Sequence, residues 1–128
     1  MKKITFAVCL LVLGALIIGN VSAAGQTEGG VDHLVLIKLK ADVTQKQIDA
    51  LFAALLTMKD KVPGIIDIAG GVNNSPEGMD KGHNYALYVR FTDIAARDAY
   101  LADSYHQGIV VEYAVPILED LTIVDFER

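Results

Sequence analysis

The chain of 128 residues has one cysteine, no tryptophan, three prolines and few basic residues. Its one cysteine, Cys9, lies in an apolar leader that reads as cleavable, so the mature chain has none. Disulfides, thiolate metal sites and a cysteine nucleophile are thereby excluded. Eleven lysines and arginines stand against sixteen aspartates and glutamates, and two of the eleven, Lys2 and Lys3, belong to the leader. The mature net charge is then −7, which argues against nucleic acid or an anionic membrane surface as partner. Only three histidines occur, and none lies four residues from another, so no metal site is expected. Gly70-Gly71 lacks the lysine and hydroxyl residue of a phosphate loop and reads instead as a strand bulge.

What is present at the start is an address. Lys2-Lys3 precedes an apolar run from Ile4 to Ile18, and Val21-Ser22-Ala23 offers small residues at a signal-peptidase exit, which predicts cleavage before Ala24. The run falls short of the ~20 residues a membrane-spanning helix needs. Residues 1–23 therefore read as a signal peptide and the product as exported, periplasmic or secreted, with no membrane association once the leader is gone. Removing 23 of the 128 residues leaves 105, one domain's worth. Gly25 to Gly30 is polar and glycine-rich, so residues 24–31 read as a flexible linker and 32–128 as the folded domain.

Within that domain, Asp32 to Lys40 alternates, with His33, Val35, Ile37 and Leu39 on one face. Thr44-Gln45-Lys46-Gln47 is a capping box, and Ile48, Leu51, Phe52, Leu55 and Leu56 form the apolar stripe of the helix it opens. Pro63-Gly64 ends that helix. Strands follow over Ile65 to Asn73 and Tyr85 to Phe91, joined by a polar loop, and His83 at the loop's end is expected to face water. Asp93 caps a helix running to Ala102, Ser104-Tyr105-His106-Gln107 reads as a second capping box with Ser104 as the cap, and Leu118 to Phe126 closes the chain as a strand. The order β-α-β-β-α-β is ferredoxin-like, α+β, an antiparallel sheet with helices on one face. The opposite parity holds Leu34, Leu36, Ala86, Tyr88 and Val124. Soluble proteins rarely expose such a patch, and packing two sheets across a two-fold axis covers it, so a homodimer is expected.

Several segments together resemble the stress-responsive α/β-barrel, or Dabb, family: His33-Leu-Val-Leu-Ile-Lys-Leu-Lys, Val62-Pro63-Gly64-Ile65, Tyr88-Val-Arg-Phe91, Tyr100 with His106, and Leu121-Thr-Ile-Val-Asp125-Phe126. The resemblance implies a dimeric α/β barrel built from ferredoxin-like subunits. Most members have no assigned activity, and a plant member is a polyketide cyclase that works without cofactor, using histidines and a tyrosine in a pocket between sheet and helices. Carried over by position, His33, Tyr100 and His106 match that set. Tyr85 stands where a further histidine would be, His83 falls two residues earlier, and Asp103-Ser104 replaces a His-Pro pair.

Six residues turn a helix through about 600°, so Tyr100 and His106 converge only if the break at Asp103-Ser104 re-aims the chain. His33, Tyr85, Tyr100 and His106 are thus the candidate ligand-binding residues, and His106, Tyr100 and His33 the candidate catalytic ones, with no cofactor and no metal implied. Each has a structural reading as well: a corner histidine, a core tyrosine with its hydroxyl satisfied, a solvated histidine at a strand start. Two function classes follow. One is a dimeric, stress-associated module holding a small apolar or aromatic molecule; the other is a cofactor-free cyclase, lyase or monooxygenase using His106 and Tyr100. The leader generates a direct check: mass spectrometry of the native protein is expected to find a chain beginning at Ala24, and a chain that keeps Met1 and sediments with membranes contradicts export.

Overall fold

The computed structural model of the protein describes residues 29–128. The leader and most of the tether lie outside the described residues. The elements are β1 (Val31–Leu39), α1 (Gln45–Leu56), α2 (Met58–Lys61), β2 (Ile65–Val72), β3 (Tyr85–Phe91), α3 (Ile94–Ala102), α4 (Ser104–Ile109) leading into a π-helical turn (Val110–Ala114), and β4 (Leu118–Glu127). The four strands form one antiparallel sheet in the order β2-β3-β1-β4, the ferredoxin-like arrangement.

Register follows from side-chain parity. On β1, His33, Val35 and Ile37 face the helices, opposite Val89, Leu87 and Tyr85 of β3 and Asp125, Ile123 and Leu121 of β4. A slip of one residue would send every one of these to the other face. The core lies between that face and the helices, where Leu51, Met58, Val89 and Phe91 are almost fully enclosed. Burying such side chains stabilises the fold by about 1.5–3 kcal/mol each, before chain entropy.

Local chemistry sets the helix ends. The Thr44 hydroxyl accepts from Gln47 N, and Gln47 Oε1 accepts from Thr44 N at 3.0 Å, a closed capping box. Along α1, Ile48, Leu51 and Leu55 are buried, but Leu56 is 43% exposed, because the helix stops there and Met58 of α2 takes the inward place. Gly64 ends the pair with φ +85°, and a Cβ there would lie 2.5 Å from Ala96 Cβ. The second expected capping box does not form: Asp103, not Ser104, is the N-cap of α4, its Oδ1 accepting from Tyr105 N at 2.8 Å and His106 N at 3.1 Å, with no side chain among the described residues returning a bond to the cap. The charged carboxylate oxygen accepts from the two amides more strongly than a hydroxyl would.

Two further expectations change. The β2 irregularity falls between Ile65 and Asp67 rather than at Gly70-Gly71. Gly70 serves close packing instead: a Cβ there would meet Phe52 Cε1 at 2.8 Å and the Ala86 carbonyl at 2.9 Å. His83 is tucked over the outer sheet face, its Nδ1 3.1 Å from the Asp80 carbonyl and its Nε2 3.4 Å from Thr122 Oγ1, with a side chain only 11% exposed. The loop between β2 and β3 folds back onto the sheet and carries it there.

The outer face is apolar but not uniformly so. Leu36, Val124 and Phe126 are 39%, 48% and 47% exposed, and Leu34, Ala86 and Tyr88 are half-buried beside them. Asp32, on the same face, is fully enclosed, accepting from the Tyr88 hydroxyl at 2.8 Å and from Arg128 Nε at 2.6 Å.

The contrast between two glycines tests the core. Gly70→Ala is expected to cost about 1–3 kcal/mol by overpacking against Phe52 and the β3 backbone, and to lower the Tm by several degrees. Gly108→Ala on α4, where a Cβ meets nothing within 4 Å, is expected to be neutral or to gain up to about 1 kcal/mol through helix propensity. Thermal melts of both variants decide; an unchanged Gly70→Ala contradicts the packing described.

Candidate functional site

A cavity of about 120 Å³ opens between the helix-facing side of the sheet and the helices. Aliphatic side chains make up most of its wall, among them Val35 and Ile37 of β1, Leu51 of α1, Leu101 of α3, and Leu121 and Ile123 of β4. The polar groups in the lining are His33, Tyr100 and His106. Three elements deliver them: β1 by its inward parity, α3 by its last turn, and α4 because the corner at Asp103 turns the chain back. Without that corner Tyr100 and His106 would diverge around one helix. With it their rings stack, centroids 3.9 Å apart at 31°. Tyr100 also meets the His33 ring edge-on at 5.7 Å and Phe91 at 5.0 Å.

Tyr85 is not brought to this site. It shares the inward parity of β3 but lies toward β2, where its ring packs on Phe52 with centroids 5.9 Å apart. The candidate set reduces to His33, Tyr100 and His106, and the structure adds two residues not nominated from the sequence. Asp125 Oδ1 lies 2.6 Å from His33 Nδ1, and Arg97 donates to the other oxygen of that carboxylate. A signal for Asp125 is present in the chain: it is a carboxylate on the inward parity of β4, in step with Leu121 and Ile123. Its partner becomes visible only through the pairing of β4 with β1. Arg97 carries no such mark, being one charged residue on an amphipathic helix.

The electrostatics follow from burial. A carboxylate can only accept, so His33 Nδ1 donates, and a neutral His33 ring then carries its lone pair at Nε2. No hydrogen bond within the described residues engages that Nε2. Burial raises the Tyr100 phenol well above its ordinary 10.0, with the Asp125 charge adding to the effect, so Tyr100 remains a neutral O–H donor. Burial, followed by the nearby His33, lowers His106 below 6.5, while the Tyr100 carbonyl and Asp103 oppose this more weakly. That carbonyl favours a proton on the ring without reaching hydrogen-bond geometry, and His106 Nδ1 is buried without a partner among the described residues. The arrangement is a carboxylate-oriented imidazole, a neutral phenol and a neutral imidazole at one end of an apolar pocket, a set able to accept and donate single protons. No group of three or more histidine, cysteine or acidic residues gathers to hold a metal among the described residues.

Comparison with known proteins places this geometry in a family. The chain belongs to the stress responsive A/B barrel domain family, Dabb, whose model matches residues 31–128. It is 23% identical over 96 residues to olivetolic acid cyclase of Cannabis sativa, covering 75% of this chain and 94% of that protein. It is 32% identical over 101 residues to a stress-response A/B barrel domain-containing protein of Arabidopsis thaliana, covering 69% of this chain but 38% of that longer protein. Among solved structures it resembles a dimeric protein of unknown function with a ferredoxin-like fold from Bacteroides fragilis, at 25% identity and a TM-score of 0.67, covering 80% of this chain and 100% of that one.

The buried imidazole leaves a pH signature. Because the folded value of His106 lies below 6.5, the unfolded chain takes up that proton first as the pH falls. The stability contributed by the neutral ring is complete above about 6.5 and is lost as the pH drops through the lowered value. Urea melts at pH 8 and pH 5 are expected to show a larger loss of stability in the wild type than in His106→Leu, which has nothing to protonate there. Equal losses contradict the burial of a neutral ring.

Proposed function

We propose that this member of the stress responsive A/B barrel family is an exported homodimer that holds a small, largely apolar or aromatic molecule in the cavity, with the molecule's polar end at His33, Tyr100 and His106. The observation that carries the reading is the composition of the wall: aliphatic throughout except for three polar side chains grouped together. Such a pocket binds through apolar contact and orients through a few hydrogen bonds. Its volume suits roughly one aromatic ring, since an apolar cavity of about 150 Å³ accepts benzene. The dimer rests on the exposed Leu36, Val124 and Phe126 of the outer face and on the dimeric description of the Bacteroides fragilis neighbour. Export rests on the leader alone.

A second reading has its own observation. The bond from His33 Nδ1 to Asp125 orients the ring as a proton acceptor, beside the neutral phenol and the neutral imidazole of Tyr100 and His106. That supports cofactor-free proton transfer at carbon next to a carbonyl, the kind of step on which a cyclase or lyase would draw. The likeness to olivetolic acid cyclase is consistent with it.

The readings separate experimentally. Phenol is expected to raise the Tm more than benzene, by mass action, with His33→Leu erasing the difference and Ala114→Leu, which fills the cavity, erasing both shifts. No shift from either compound retires the binding reading. For the second, deuterium exchange into 2,4-pentanedione is followed by NMR: acceleration by the wild type, reduced about 10²–10⁴-fold in His33→Ala, supports catalysis, and a rate equal to buffer removes it. For the assembly, sedimentation equilibrium is expected to give a dimer at micromolar concentration and a monomer or aggregate for Leu36→Asp, which would bury an unpaired carboxylate. A folded wild-type monomer excludes the sheet-to-sheet contact.

A further inference from the structure

Two residues of α3 converge on His33 from one side of the helix. Tyr100 meets the imidazole edge-on, and Arg97, three positions earlier and so on the same face, reaches the carboxylate bonded to it. Oδ1 of Asp125 accepts from His33, Oδ2 accepts from Arg97 Nη1, and Arg97 Nε is held in turn by Asp98 at 2.8 Å. The His33 side chain is 4% exposed, while those of Asp125 and Arg97 are 26% and 20% exposed. The chain of contacts thus runs from the cavity wall to the edge of solvent. A carboxylate held at one oxygen can turn about its Cβ–Cγ bond or swing out to water. Held at both oxygens, it can do neither.

We propose that Arg97 is a positioning residue of the cavity: by holding Oδ2 of Asp125 it keeps Oδ1 on His33 Nδ1, and so fixes the imidazole in the Nδ1–H tautomer with its lone pair at Nε2. Which ring nitrogen carries the proton is set by the hydrogen bond the other group offers, and a histidine released from its carboxylate returns to the Nε2–H form that predominates in water. Arg97 touches neither the cavity nor anything bound in it; it acts through Asp125. As a partly exposed ion pair it contributes little stability, so its consequence is orientation rather than folding. The proposal builds on the reading of His33 as the polar end of the site, but its test needs neither ligand nor turnover.

Long-range proton–nitrogen NMR of the ¹⁵N-labelled full chain, recorded above pH 7, reports the tautomer of each imidazole. The wild type is expected to show His33 as Nδ1–H, and Asp125→Asn, which removes the acceptor charge, sets the benchmark for its loss. Arg97→Gln is expected to lose the Nδ1–H signature, with the amide spectrum unchanged away from the site. Arg97→Lys, which restores a cation within reach of Oδ2, is expected to recover it. Arg97→Met, which keeps the aliphatic stem, carries the same measurement should the glutamine variant fail to fold. A folded Arg97→Gln or Arg97→Met with the wild-type tautomer overturns the proposal. A chain that binds no phenol yet changes tautomer on loss of Arg97 leaves the positioning role standing and removes only the binding reading.

Discussion

The register of β4 against β1 is the constraint on which the rest of this structure depends. β1 is a central strand, bonded to β3 on one side and β4 on the other, and its inward residues meet Asp125, Ile123 and Leu121 only in the observed pairing. That pairing puts the Asp125 carboxylate on His33, gives the cavity its outer wall, and leaves Val124 and Phe126 on the opposite face. Because side chains alternate with a period of two, no intermediate arrangement exists: a slip of one residue would expose the carboxylate and bury Thr122 and Val124 in its place. Site, cavity and outer surface are thus set by one strand pairing.

Around that pairing the molecule confines polar groups rather than excluding them. At the site, Tyr100 and His106 stay neutral because desolvation disfavours their charged forms, and their stacked rings close one end of the cavity. The charge beneath them is shared between Asp125 and Arg97. On the outer face Asp32 is enclosed, but the Tyr88 hydroxyl and Arg128 satisfy it. Both clusters pair a carboxylate with an arginine and a third donor, but only Asp32 is taken out of water, while Asp125 keeps an edge at solvent. They differ in what surrounds them. One borders an apolar pocket, and the other lies within an apolar sheet face.

Much of this is legible in the chain itself. Alternation reveals β1 and β3, apolar runs between breakers reveal β2 and β4, the stripe from Ile48 reveals α1, and the order of elements reveals the ferredoxin-like arrangement, because those patterns reflect local periodicity and burial. His33, Tyr100 and His106 can be singled out as polar residues at patterned positions. Parity alone assigns Tyr85 to the cavity wrongly, since it reports a face of the sheet and not a place along it. The α4 cap is displaced by one residue because Asp103 and Ser104 are both competent caps and only the backbone decides between them. Gly70 resembles a bulge, for nothing local announces that Phe52 will lie across it.

The amino-acid sequence by itself determined the class of fold, the apolar parity of β1 and β3, the lack of a cysteine in residues 29–128, and three of the groups that meet at the site. Tertiary structure alone decided that Asp125 and Arg97 join them, that Tyr85 does not, and that His83 rests on the sheet. The division has a physical reason. Helix and strand periodicity arises between residues a few positions apart and is written in their order. The sequence separation of His33 and Asp125 spans most of the domain, and the two meet only through the pairing of β1 with β4.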